Sequence, residues 1–307
     1  MKPPRVSIII PAYHSQGTLH ICLQGLRSQL FTDFEVIIVN SSADTDTAEI
    51  VNRELPTALF IQSPVRLLPH AARNRGVRDA RGEVLVFTDP DCRAAPDWLA
   101  RLVAGMEQGA DAVAGGMDLD RPDWRSTGIH LAKFWWALPG GPEPRRSPLP
   151  TANAAYSRAA WDRCGPLEGN IFAGDALLAW RLHAAGLSCL CDYQTRVYHR
   201  HDEPLRQAII SRWQRGQEFA RCRMTFENWS SRRRLLTALA APLLLGWVLL
   251  ASARAAFRAG WGARFLWTAP AQLLLQGAWI AGETRVYGIQ ERQDCTLPET
   301  AGQEFCR

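Results

Sequence analysis

The N-terminal part of the chain alternates short, nearly all-apolar runs with segments whose apolar residues recur at helical spacing. Arg5 to Ile10 is rich in β-branched residues and stops at Pro11-Ala12-Tyr13, which predicts a strand and its end. Leu19, Leu23, Leu26 and Leu30 fall on one side of a helix over 18–30. A second strand, Phe34 to Val39, runs into the polar loop Asn40-Ser41-Ser42-Ala43-Asp44, which can cap a helix from Thr47 to Leu55. A third strand, Ala58 to Gln62, precedes a helix from Pro69 through Arg73 to Ala80, and Arg81-Gly82 turns the chain into Val84 to Thr88. Strands separated by helices in this way argue for parallel βαβ units in an α/β sheet. The polar residues that end the strands, Tyr13, Asn40 and Asp89, then share one edge.

The run from Val84 to Thr88 reads as a buried central strand, and it stops at two carboxylates, Asp89 and Asp91, flanking Pro90. At the carboxyl end of a strand such acids face the crevice where open α/β sheets bind ligands, and two hard oxygen ligands suit a divalent cation carrying a diphosphate. Capping of the helix that begins near Pro96, Asp97 and Trp98 is the competing reading.

The C-terminal third changes character. Arg206 to Trp229 has helical composition with Ile209, Ile210, Trp213 and Phe219 among arginines, the pattern of a basic amphipathic helix on an anionic bilayer surface or of a solvated helix covering a sheet. Two uncharged stretches follow, Leu235 to Ala253 and Phe265 to Gly282, each near the length that spans a bilayer, with tryptophans at hand for the interface. Pro242, Pro270, Gln272 and Gln276 dilute them, and Arg254, Arg258 and Arg264 lie between them. Spanning, in-plane insertion and a soluble packed pair all remain open. The boundaries this suggests are 1–204 for a catalytic domain, 205–234 for the basic helix, 235–287 for the hydrophobic hairpin and 288–307 for a polar tail.

Composition adds three points. A chain of 307 residues with 47% hydrophobic content can bury a sizeable core. Its formal charge of +5 is unevenly spread: eight arginines from Arg206 to Arg234 face only Glu218 and Glu227, which points to a local anionic partner, not a generally basic protein, and no nucleic-acid partner is expected. Eight cysteines without a C-x-x-C pair indicate neither a zinc site nor a disulfide framework, so a reducing compartment is expected. Val6 to Ile10 is too short for a signal-peptide core, so the N-terminal part is expected to stay in the cytoplasm.

The order Val6-Ser7-Ile8-Ile9-Ile10-Pro11-Ala12-Tyr13, Phe34-Glu35-Val36-Ile37-Ile38-Val39, Ala72-Arg73-Asn74-Arg75-Gly76 and Phe87-Thr88-Asp89-Pro90-Asp91 resembles the family 2 glycosyltransferases of the GT-A fold. Thr151 to Tyr156, Cys164-Gly165-Pro166-Leu167, Gly174-Asp175 before Trp180-Arg181-Leu182, and Val197 to His201 continue the resemblance, which covers about residues 5–230. It implies a GT-A, Rossmann-like mixed and mainly parallel sheet, followed here by amphipathic and hydrophobic helices. By the same resemblance Pro11, Ala12, Tyr13, Asn40, Arg73 and Asp89 hold the nucleotide, and Asp91 with His199 holds Mg or Mn. Asp175 is the general base and Asn153 meets the donor or acceptor sugar. Each also has a plainer reading: His199 as the end of a strand, Asp175 as a helix cap, Asn153 as a turn residue. Two departures stand out, Asn40 where the family commonly has aspartate and Gly174 where glutamate commonly precedes the aspartate.

The function so implied is inverting transfer of a sugar from a nucleotide-diphosphate donor to a hydroxyl of a lipid, lipid-linked or glycan acceptor. Its expected place is the cytoplasmic face of a membrane, the inner or plasma membrane, against its anionic surface. The alternatives are a non-catalytic sugar-nucleotide-binding or membrane scaffold protein, kept open by Asn40 and Gly174, and a nucleotidyltransferase. The latter is disfavoured because the first strand leads into Pro-Ala-Tyr and not into a glycine- and lysine-rich phosphate loop.

Overall fold

A computed structural model describes residues 2–141 and 149–288. The polar tail expected at 288–307 lies, apart from Gly288, outside the described residues. In chain order the elements are β1 (Val6–Ala12), α1 (Leu19–Arg27), β2 (Phe34–Asn40), α2 (Asp46–Glu54), β3 (Leu59–Gln62), α3 (Pro69–Val77), β4 (Val84–Thr88), β5 (Cys92–Ala94), α4 (Trp98–Glu107) and β6 (Ala112–Leu119). There follow α5 (Trp124–Phe134), β7 (Asn153–Ser157), α6 (Arg158–Cys164), α7 (Gly174–Ala184) and β8 (Cys189–His199). Last come α8 (Leu205–Phe226), α9 (Ser231–Leu239), α10 (Ala241–Arg258), α11 (Gly262–Trp267) and α12 (Ala269–Gly288). The described residues group into two compact units, those of 2–120 and 137–200 in one and those of 121–136 and 201–288 in the other. Helix α5 thus belongs with the C-terminal helices.

The first unit carries an eight-stranded sheet in the order β3-β2-β1-β4-β7-β6-β8-β5. Strands β3, β2, β1 and β4 are parallel, as the βαβ pattern requires. Strand β7 runs antiparallel to both β4 and β6, and β5 runs antiparallel to β8. The result is a mixed sheet. The central runs are apolar throughout because both faces are covered: Ile8, Ile9, Ile37, Ile38, Val86 and Phe87 are all buried. Strand β3 sits at an edge, and its Leu59 is 46% exposed.

The edge of the sheet where β1 and β4 begin is tied by one carboxylate. Glu35 Oε1 accepts from the Ser7 hydroxyl and the Arg81 backbone, both at 2.7 Å, and Oε2 accepts from the Arg81 guanidinium at 2.7 Å. Ser7 in turn accepts from Gly82 N–H at 2.8 Å, which fixes the turn into β4.

In the second unit α8 and α12 cross closely. A Cβ at Gly216 would lie 2.4 Å from the Trp279 carbonyl, and one at Gly282 would lie 2.2 Å from that of Trp213. The glutamines that dilute the last apolar stretch have a purpose in packing: buried Gln272 and Gln276 donate to the carbonyls of Gly128 and Ala132 on α5, at 2.9 and 3.2 Å. Helix α12 is therefore a packed helix with buried polar groups. Among the described residues only α10 is long and apolar enough to cross a membrane, with a mean hydropathy of 1.2 and 17% of its window buried. The arginines of α8 are partly internal too. Arg212 donates to Gln276 at 2.8 Å and stacks over Trp279, and Arg223 bonds Glu283 at 3.3 Å and the Tyr287 hydroxyl.

The Glu35 network makes a testable statement about pH. Burial pushes the Glu35 carboxyl up, but the bonds from Ser7 and Arg81 outweigh it and hold the group below its ordinary value. A depressed carboxyl contributes stability above its unfolded pKa, and the contribution is lost as pH falls through the folded pKa. Glu35→Gln is expected to lower the unfolding free energy by about 1–3 kcal/mol at neutral pH. The gap to the parent narrows as pH falls below about 4.3, read from denaturant titrations across that range.

Candidate active site

The parallel strands β1 and β4 end side by side, and the residues that follow them converge. Pro11 and Ala12 are buried at the end of β1. Tyr13, the first residue beyond, is 40% exposed, with the Arg66 guanidinium 4.6 Å from its ring centre.

Beyond β4, Cys92 N–H bonds back to the Asp89 carbonyl at 3.1 Å, so Asp89-Pro90-Asp91 forms a turn with both carboxylates at the strand end. Antiparallel pairing of β5 with β8 sets Cys92 opposite His199, and Arg200 N–H bonds the Asp91 carbonyl at 3.0 Å. That register brings His199 Nε2 to 3.8 Å from Asp91 Oδ1. His199 Nδ1 lies 2.9 Å from the Arg200 carbonyl, which can only accept, so Nδ1 carries a proton and Nε2 is the nitrogen left on the Asp91 side. A backbone bond that fixes the tautomer in this way is the usual support of a histidine metal ligand.

Among the described residues the cluster able to hold a metal is Asp91, Cys92 and His199, with ligand atoms within 4.8 Å of one another. Burial, then Asp91 and Asp89, push the Cys92 thiol well up, and burial followed by the same carboxylates raises Cys22, whose thiol points at the Asp89 carbonyl. Both are neutral thiols, poor metal ligands beside a carboxylate and an imidazole. The oxygen and nitrogen donors fit a divalent cation such as Mg or Mn.

Asp89 is bound from the other side by Arg73, whose side chain is only 2% exposed. Arg73 Nη1 also meets His70 Nδ1 at 3.3 Å, and His70 Nε2 reaches the Phe172 carbonyl at 3.1 Å. Asp175 stands in the first turn of α7, where the helix dipole favours a carboxylate, and its charge acts on the His70 ring. Its Oδ1 accepts from Ala176 N–H at 2.8 Å. A Cβ at Gly174 would lie 2.8 Å from His70 Cδ2 and 2.7 Å from the Glu168 carbonyl, so the ring of His70 occupies room that a side chain at 174 would need. His70 carries no signal in a strand-end motif. Its one signal is its place three residues before Arg73, on the same helical face.

Two expected site residues are spent inside the protein. Asn40 is fully buried: its amide donates to Ser42 O and Gln62 Oε1 at 3.2 and 3.0 Å, and its oxygen accepts from Ser42 N–H and the Ser42 hydroxyl at 3.3 and 2.7 Å. With two donors and two lone pairs used, it shapes the loop after β2 and has nothing left for a nucleotide base. Asn153 is fully buried as well. It accepts from the Trp98 indole N–H at 2.8 Å and donates to the carbonyls of Gly116 and Thr195 at 2.8 and 2.9 Å. It bridges the bulge between β6 and β8 at Gly115/Gly116, and a Cβ at Gly115 would lie 2.2 Å from its amide. Asn153 is expected from sequence to meet a sugar; here its amide is satisfied by protein groups and shut off from solvent, a structural role.

The sequence description Glycosyl transferase family 2 matches residues 7–167. The chain is similar to Glycosyltransferase AglE of Haloferax volcanii, 26% identical over 178 residues that make up 56% of this chain and 58% of the relative. It is also similar to GalNAc(5)-diNAcBac-PP-undecaprenol beta-1,3-glucosyltransferase of Campylobacter jejuni, 24% identical over 122 residues, 38% of this chain and 40% of the relative. The chain thus spans under two thirds of the length of these curated relatives. In structure it resembles the mannosyltransferase PcManGT from Pyrobaculum calidifontis in complex with GDP-Man and Mn2+, with a TM-score of 0.63 at 23% identity over 95% of this chain and 89% of that one. That likeness is one of fold.

Asn153→Ala would strand the Trp98 indole N–H and two strand carbonyls. The expected loss is about 3 kcal/mol of stability, measured by chemical denaturation, with nucleotide affinity of the folded fraction unchanged. A variant of parental stability that loses sugar recognition would return Asn153 to the substrate.

Proposed function

Since the match over residues 7–167 takes in more than half of it, the chain belongs to glycosyl transferase family 2, and from that premise we propose that it is a metal-dependent, inverting glycosyltransferase acting at a membrane surface. The observation that carries the reading is the convergence at the ends of β1 and β4. Asp89 with Arg73 stands on one side, Asp91 facing His199 on the other, and Asp175 in the first turn of α7. A nucleotide-diphosphate sugar is the donor class, held by Pro11, Ala12, Tyr13, Arg73 and Asp89. Asp91 and His199 would hold a divalent cation, which would supply Lewis-acid stabilisation of the departing diphosphate. The relative with bound GDP-Man and Mn2+ lends this support through the shared fold.

Asp175 is the base of the proposed step. It takes the proton of an acceptor hydroxyl as that oxygen bonds the anomeric carbon and the bond from that carbon to the diphosphate oxygen breaks. One displacement on the face opposite the leaving group inverts the centre. Gly174 in place of a glutamate leaves the carboxylate of Asp175 in the first turn of α7, which supports the catalytic reading over the non-catalytic alternative.

For the acceptor we favour a lipid-linked saccharide, the class named for the Campylobacter relative. Leu243, Trp247, Leu250 and Phe257 recur along one face of α10 and each is more than half exposed. Arg254 and Arg258 lie exposed at its C-terminal end, and Arg232 and Arg233 border a shallow groove with Leu236 and Leu244. An apolar face edged by arginines suits a helix lying in the plane of an anionic interface.

A panel of sugar nucleotides, each with and without Mn, tests the site by thermal stabilisation followed by turnover. One donor should raise the melting temperature in the presence of Mn. Asp91→Asn should abolish the metal-dependent part. Asp175→Asn should keep the shift and lose transfer by roughly 100-fold or more. Transfer at the parental rate by Asp175→Asn would remove the base from the mechanism.

Vesicle flotation tests the membrane assignment. The full chain should float with anionic vesicles and remain partly bound in high salt, since salt screens the arginines and not the apolar face. Leu243→Glu with Trp247→Ser should reduce flotation at every salt concentration and leave donor stabilisation intact. A parent chain that stays in the aqueous fraction would favour a soluble acceptor.

A further inference from the structure

Helix α3 touches both ends of the site. Its Arg73 holds Asp89, while residues on the adjoining face grip the loop that leads to Asp175 at successive points. Asn74 Nδ2 donates to the Leu167 carbonyl at 2.7 Å and its Oδ1 accepts from Leu167 N–H at 3.1 Å. Ala71 packs under Gly169, where an added Cβ would come within 3.2 Å of the Ala71 Cβ. His70 makes the last grip, at the Phe172 carbonyl, three residues before Asp175.

The chemistry of that last grip is determined. Arg73 can only donate, so the Nδ1 of His70 is the acceptor at 3.3 Å and Nε2 carries the hydrogen that Phe172 O receives. Burial, then the charge of Arg73, lowers the pKa of His70, in keeping with a neutral ring that donates on one side and accepts on the other. Ala173, the N-cap of α7, offers no side-chain cap, and the His70 bond to Phe172 lies directly before it. Gly174 is the complement of this arrangement, since any side chain there would collide with the His70 ring.

We propose that His70 is a positioning residue: it fastens the loop carrying the general base to the Arg73–Asp89 pair, setting the distance between the donor end and the base end of the site. The proposal rests on the glycosyltransferase reading for its catalytic consequence, but the fastening itself does not. It also explains why His70 and Gly174 occur together, the ring filling the room that a residue larger than glycine would take.

The test uses two variants of the full chain. His70→Leu keeps much of the volume without the hydrogen bonds, and His70→Gln retains a donor able to reach Phe172. In His70→Leu, hydrogen exchange at amides 173–177 should speed up with the rest of the first unit unchanged. Turnover should fall roughly 10- to 100-fold, the scale of a misplaced catalytic group, while donor KM stays within about twofold because Arg73 still holds Asp89. His70→Gln should restore most of the exchange protection and the rate. Parental exchange at 173–177 in His70→Leu would overturn the proposal whether or not a donor has been found. So would a rate that falls only with the folded fraction and is not recovered by His70→Gln, which is the behaviour of an ordinary core histidine. Absence of turnover in the parent with every donor would count against the glycosyltransferase reading alone, since the exchange measurement still decides the fastening.

Discussion

The pairing of β5 with β8 is the constraint on which the site depends. Three residues of strand, Cys92–Ala94, are enough to set the register Cys92↔His199, and that register alone brings an imidazole from the end of the sheet to the acid turn. Backbone hydrogen bonds cannot slip by one residue without turning every side chain to the opposite face, so the facing of Asp91 and His199 is as firm as the strand itself. The Arg73–Asp89 pair does the same on the other side with charge in place of register. A ligand at the strand ends therefore meets groups whose positions the backbone has already determined.

The parallel half of the fold was legible because its inner strands, β1, β2 and β4, are covered on both faces and read as largely apolar runs. The acid turn was legible for a related reason: two carboxylates directly after such a run have no place in a core. Less could be read of β7, whose Asn153 to Ser157 is mostly small residues, and of β5, too short to have a period. Strand pairing between segments far apart in sequence leaves no local trace, so the insertion of β7 between β4 and β6 appears only in three dimensions.

Side-chain roles were harder to read than elements, and for the two asparagines the reason is the same. Asn40 and Asn153 both sit beside strand ends, where sequence alone suggests a ligand. Both are amides, and an amide with two donors and an acceptor can be used up by nearby backbone as readily as by a substrate. The carboxylates could not be absorbed so cheaply, because burying a charge requires an opposite charge, which Asp89 has in the buried Arg73. In the C-terminal helices the same principle runs the other way. Arg212 and Arg223, read from sequence as part of a basic surface, are drawn inward by Gln276 and Glu283. Outward charge is carried by the remaining exposed arginines of α8, Arg206 and Arg215, together with arginines of α9 and α10 such as Arg232 and Arg254.

The two sides of the acid turn also differ in when they can exist during synthesis. Arg73 and Asp89 lie close together in the chain, so their pair can form as soon as β4 has emerged from the ribosome and found β1. His199 belongs to β8, the last strand of the sheet to be made, and cannot meet Asp91 until the segment between them has closed over β6 and β7. The proposed cation site is thus completed only together with the finished sheet, while the Arg73–Asp89 side of the turn can be in place well before it.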